Sequence, residues 1–113
     1  MLLLEHDDRL RSTTIELLLD LGQVVFEARS AEEAMRVLQG TRIDLLITGP
    51  GAADAAGKNF AAEAMAFRPE LRIVFAIGSA PISRRVDDRL KPVFLLKPYD
   101  SAGLAAALGA ALA

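Results

Sequence analysis

Short, mostly apolar runs, each followed by a stretch of helical period, leave this chain few folds to adopt. Leu2-Leu3-Leu4, Val24-Val25-Phe26, Ile43 to Thr48, Arg72 to Ile77 and Val93 to Leu96 suit strands and are too short for typical helices. After the first run, Leu10, Thr14, Leu17 or Leu18, and Leu21 recur at helical spacing, with Asp7 or Asp8 as the cap and Gly22 as the stop. Ser30-Ala31-Glu32-Glu33 has capping-box spacing. Ala31, Ala34, Met35 and Leu38 then share a face, and Gly40 closes that helix. A third helix, from about Lys58, carries Phe60, Ala64 and Phe67 inward and ends before Pro69. Ile82, Val86 and Leu90 mark a more polar helix. Asp100 or Ser101 caps the last one, with Leu104, Leu108 and Leu112 in line. Strands without strict polar alternation are buried on both faces. Five strand–helix repeats therefore predict an α/β fold, (βα)5, a doubly wound parallel five-stranded sheet covered by helices. Residues 1–113 read as a single domain.

Composition excludes several chemistries. A net charge of −2 argues against a nucleic-acid or anionic-membrane surface, which needs a basic face. No cysteine is present, so there is no disulfide framework, thiolate zinc site or Cys nucleophile. A single His rules out a multi-histidine metal centre. Every apolar run falls well short of the roughly 20 residues of a membrane span. Met1-Leu2-Leu3-Leu4 meets Glu5 too soon for a signal-peptide core, so a cytoplasmic protein is expected.

Open α/β sheets place their chemistry at the carboxyl ends of the strands. Here those ends supply Glu5-His6-Asp7, Thr48-Gly49, Ile77-Gly78-Ser79 and Lys97-Pro98. Over its whole length the chain resembles the CheY-like receiver domain of two-component response regulators. Leu2-Leu3-Leu4-Glu5-His6-Asp7 is similar to that family's first strand with its acidic cluster, and Arg11 and Gly22 follow at the expected distances. Asp44-Leu45-Leu46-Ile47-Thr48 resembles the strand leading to the phosphoacceptor. Phe75-Ala76-Ile77-Gly78 resembles the strand bearing the switch hydroxyl, and Leu95-Leu96-Lys97-Pro98-Tyr99 resembles the Lys-Pro motif. The resemblance implies a flavodoxin-like strand order of 2-1-3-4-5.

The departures from the family pattern are chemical. The phosphoacceptor Asp falls at Gly49, which has no nucleophile for an acyl phosphate. The acidic metal-binding positions fall at Glu5 and His6, and imidazole is a poor ligand for Mg²⁺. Asp7 lies next door, which leaves Glu5 and Asp7 as weak metal candidates. The switch hydroxyl falls at Ile77, and the rotating aromatic at Phe94. Lys97, followed by Pro98, is the one pocket residue kept intact, and is expected to pair with Glu5 or Asp7. Loss of nucleophile, metal ligand and sensor together reads as a pseudo-receiver. Such a domain is expected not to be an enzyme, to carry no cofactor and to have lost Mg²⁺ binding.

Two other readings compete. Asp54 is a displaced acceptor candidate in the loop after Gly49. Gly51 to Asn59 has the strand–loop–helix setting of a nucleotide-binding P-loop, but five residues separate Gly51 from Gly57 where the motif has four. Asn59 also stands where that motif needs Ser or Thr. The expected function is signal transduction through protein contact, with a histidine kinase, phosphotransfer protein or output domain as partner. The resemblance implies two candidate faces: the first helix around Leu10, Arg11 and Thr14, and the segments from Pro81 to Leu112. The sequence leaves open whether the domain stands alone, forms a homodimer or belongs to a larger protein such as a hybrid kinase.

Overall fold

A computed structural model describes residues 1–49, 59–77, 93–96 and 100–112. Its strands are β1 (Leu2–Leu4), β2 (Phe26–Ala28), β3 (Leu45–Thr48), β4 (Arg72–Ile77) and β5 (Val93–Leu96). Its described helices are α1 (Asp8–Asp20), α2 (Ala31–Gly40), α3 (Phe60–Phe67) and α4 (Ser101–Leu112). The strands form one sheet in the order β2-β1-β3-β4-β5, and every neighbouring pair is parallel. The helix expected around Ile82 to Leu90 lies outside the described residues.

Two cores flank the sheet, as alternation along parallel strands requires. Leu2, Leu4, Leu46, Ile73 and Phe75 face α2 and α3, packing on Ala34, Leu38, Phe60 and Ala64. Leu3, Leu45, Ile47, Val74 and Ala76 face α1 and α4, packing on Leu18, Leu104 and Leu108. All four residues of β3 are buried, so this central strand is enclosed on both sides. Among the described residues, no helix is long and apolar enough to cross a membrane.

Local chemistry sets the helix boundaries. The Asp7 carboxylate accepts from Leu10 N at 2.9 Å and starts α1. Gly22, with φ +79°, takes the left-handed turn after it. Ser30 Oγ accepts from Glu33 N at 3.2 Å at the head of α2. Asn59 caps α3, its Oδ1 accepting from Ala62 N at 3.1 Å. Asp100 Oδ1 accepts from Gly103 N at 2.8 Å before α4.

Several expectations need correction. The second strand is Phe26–Ala28, two residues later than Val24-Val25-Phe26. β1 dictates this register by pairing Leu2 with Phe26 and Leu4 with Ala28. Val24 is left 72% exposed, its carbonyl accepting from the Met1 amino group at 2.8 Å. β3 begins at Leu45 rather than Ile43, although Ile43 is buried. α3 starts at Phe60, and Phe67 does not point inward. That ring sits in the last helical turn, with the Arg68 guanidinium 5.8 Å from its centroid. Leu112, in the last turn of α4, is also exposed, and Ala107 and Ala111 fill the contact instead.

Burial predicts the cost of truncation. Phe60→Ala, at a fully buried site, should destabilise the domain by about 3–5 kcal/mol. Leu112→Ala should stay within about 0.5 kcal/mol. Urea unfolding of both variants checks this, and equal losses would contradict the assignment of the core.

Candidate functional site

The parallel register brings β1, β3 and β4 to a common carboxyl edge. Leu3 pairs with Ile47 and Thr48 with Phe75. Extending those pairs sets Glu5, Gly49 and Ala76 level across the edge. Ala76 pairs in turn with Leu95. Gly49 follows the buried Thr48, whose hydroxyl donates to the Gly49 carbonyl at 3.4 Å. Among the described residues, the atom nearest a Cβ added at Gly49 is the Ala76 carbonyl oxygen, at 3.8 Å. The φ of Gly49 is not in the left-handed region, so a Cβ fits there without backbone strain.

Beside Gly49, the acidic residues hold the β1–α1 turn. Glu5 is half-buried, and its carboxylate accepts from Asp7 N at 3.1 Å. His6 is exposed. Asp7 is exposed and serves as the α1 cap. Arg11 sits beneath the turn with its side chain only 6% exposed. Nη1 donates to the Glu5 carbonyl at 3.0 Å and Nη2 to Asp8 Oδ1 at 2.5 Å. Nε lies 3.9 Å from Glu27 Oε1 on β2. The hydrogen bond from Arg11, and then its charge, hold the Asp8 carboxyl below its ordinary range. The same bond raises the Arg11 pKa.

The sequence expectation for Arg11 and Thr14 therefore changes. Both are buried, so neither forms a docking surface on α1. The exposed residues of that helix include Arg9, Thr13, Glu16 and Asp20. The i, i+3 spacing of Asp8 and Arg11 was the available sign of the clamp. Among the other expected positions, Ile77 closes β4 opposite Leu96, and Phe94 pairs with Phe75. Lys97, Pro98 and Asp54 lie outside the described residues, as does the loop from Gly51 to Lys58. Among the described residues, no group of three or more His, Cys, Asp or Glu side chains is placed to hold a metal.

Known structures share this fold. The chain superposes on chemotaxis protein CheY4 of Vibrio cholerae with a TM-score of 0.82 at 19% identity, over 97% of this chain and 95% of that one. SdrG from Sphingomonas melonis Fr1 matches with a TM-score of 0.74 at 27% identity, over 99% and 94% of the two chains. The receiver domain of the hybrid histidine kinase CckA matches at 0.75 and 28%, over 99% and 97%. The fold is thus that of the CheY-like response-regulator receiver domains. No protein-family model matches the sequence, and no curated protein matches it.

Two predictions follow from this geometry. Gly49→Ala should fold and gain about 0.4–1 kcal/mol, because it restricts the unfolded chain without strain in the folded one. A loss in Tm would show that position 49 is tighter than described. The second concerns acid. A carboxyl whose pKa is lowered by folding stabilises the fold above its unfolded value, 3.8 for Asp8. That contribution is lost as pH falls through the lower folded value. Wild type should therefore exceed Asp8→Asn in stability near neutral pH, and the two should converge at the acid end. Parallel curves in a pH series of urea unfolding would contradict the Asp8–Arg11 assignment.

Proposed function

We propose that the domain is a two-component signalling module that acts through protein contact, without phosphorylation of its own. Gly49 carries this reading. It occupies the receiver's phosphoacceptor position at the carboxyl edge of β3, level with Glu5, and it has no nucleophile. The donor set beside it fits Mg²⁺ poorly. Gly49 offers no carboxylate, His6 offers imidazole, and the Asp7 carboxylate caps α1 while that of Glu5 accepts a backbone N–H of the same turn. With Ile77 at the switch position, a phosphoryl group would also find no hydroxyl there to sense it. The partner is a histidine kinase, phosphotransfer protein or output domain, and the site of action is the cytoplasm. The accessible face of α1, with Arg9, Thr13, Glu16 and Asp20, is one docking surface for such a partner.

Incubation with acetyl phosphate and Mg²⁺, followed by intact mass measurement, tests the proposal. No phosphoryl adduct is expected from the wild-type chain. Gly49→Asp alone should also give no robust phosphorylation, because His6 and Ile77 remain. An adduct on the wild-type chain, mapped to Asp54 or elsewhere, would overturn the reading and favour a displaced acceptor.

A further inference from the structure

The opposite edge of the sheet carries a polar opening. The segments entering β3 and β4 leave a cleft of about 310 Å³ lined by Arg42, Ile43, Asp44, Arg68, Glu70 and Leu71. None of these residues belongs to the carboxyl-edge site. Arg68, which follows α3, is held firmly. Its Nη2 donates to the Leu38 carbonyl at the end of α2, at 3.2 Å, and its guanidinium lies over the Phe67 ring. Its Nε is buried without an acceptor among the described residues. The Leu38 hydrogen bond gives Arg68 a structural role, and the same residue lines the cleft. Arg42 is mostly exposed and only loosely paired with Asp44, at 3.8 Å. Glu70 is exposed and makes no ion pair among the described residues.

Two guanidiniums and two carboxylates around one opening suit a ligand carrying both charges. We propose that this cleft binds a small zwitterion of the α-amino-acid type. Its carboxylate lies toward Arg68 and Arg42, since a guanidinium fork matches carboxylate geometry. Its ammonium group lies toward Asp44 and Glu70. The cleft is at the small end of the ~300–1,000 Å³ usual for ligand sites, which selects for a compact molecule. The inference goes beyond the signalling role and does not depend on whether position 49 bars phosphorylation.

The test is an amide NMR titration of the full chain with individual free L-amino acids, run beside sodium acetate and methylammonium chloride. At least one amino acid should give saturable shifts at residues 41–44 and 68–71, with affinity about tenfold above either single-charge control. Arg68→Met should weaken binding about tenfold while the circular dichroism is unchanged. Should that variant fail to fold, Arg42→Ala and Glu70→Gln are exposed substitutions that should each weaken binding several-fold. Absence of saturable shifts in the cleft with every amino acid, or an equal response to acetate alone, overturns the proposal.

Discussion

β3 runs between β1 and β4 and is buried on both faces. The rest of the domain depends on that placement. Parallel neighbours require crossover helices, and the sheet order sends α1 and α4 to one face and α2 and α3 to the other. Within β3, Leu46 belongs to one core while Leu45 and Ile47 belong to the other. A slip of one residue would exchange all of them, so the register is strongly specified. The same register sets Glu5, Gly49 and Ala76 level at the carboxyl edge. The location of the site is thus a consequence of core packing.

What the edge does with that location is decided by a few side chains. The proposed function rests on Gly49, which by its resemblance to receiver domains stands at the phosphoacceptor position. Neighbouring acids are engaged in local structure: Asp7 caps α1, Glu5 accepts from Asp7 N, and Asp8 pairs with Arg11. Arg11 ties that turn to the Glu5 carbonyl and approaches Glu27 on the edge strand. A turn held this way suits a scaffold that presents a constant surface. At the opposite edge Arg68 spans the ends of α2 and α3, and there the polar groups are less completely paired among the described residues.

Much of this was legible in the sequence because it is local. The Ser30 cap, the Gly22 stop, the bounds of β4 and β5 and the apolar positions of α2 follow from periodicity and capping chemistry. Gly49 was legible as the end of an apolar strand. The misses required tertiary information. Val24-Val25-Phe26 has strong strand propensity, yet pairing with β1 selected Phe26–Ala28, where the small Ala28 is fully buried. Phe67 and Leu112 are in phase with their helical stripes, but each lies in a last turn and remains exposed. Arg11 reads as a surface cation until its three oxygen neighbours are seen converging on it. Arg68 gives no sign in sequence of the cleft it lines, because Leu38 and Arg42 reach it only through the fold.

A phosphoryl analogue probes whether this receiver fold carries out receiver chemistry, which the proposed function denies. Amide NMR spectra of the wild-type chain should be recorded with Mg²⁺ alone and then with Mg²⁺ plus beryllofluoride. No saturable shifts are expected at Glu5 to Asp8, Thr48, Gly49 or Ala76 in either titration. Saturable shifts at those amides on adding beryllofluoride, dependent on Mg²⁺, would contradict the proposed function.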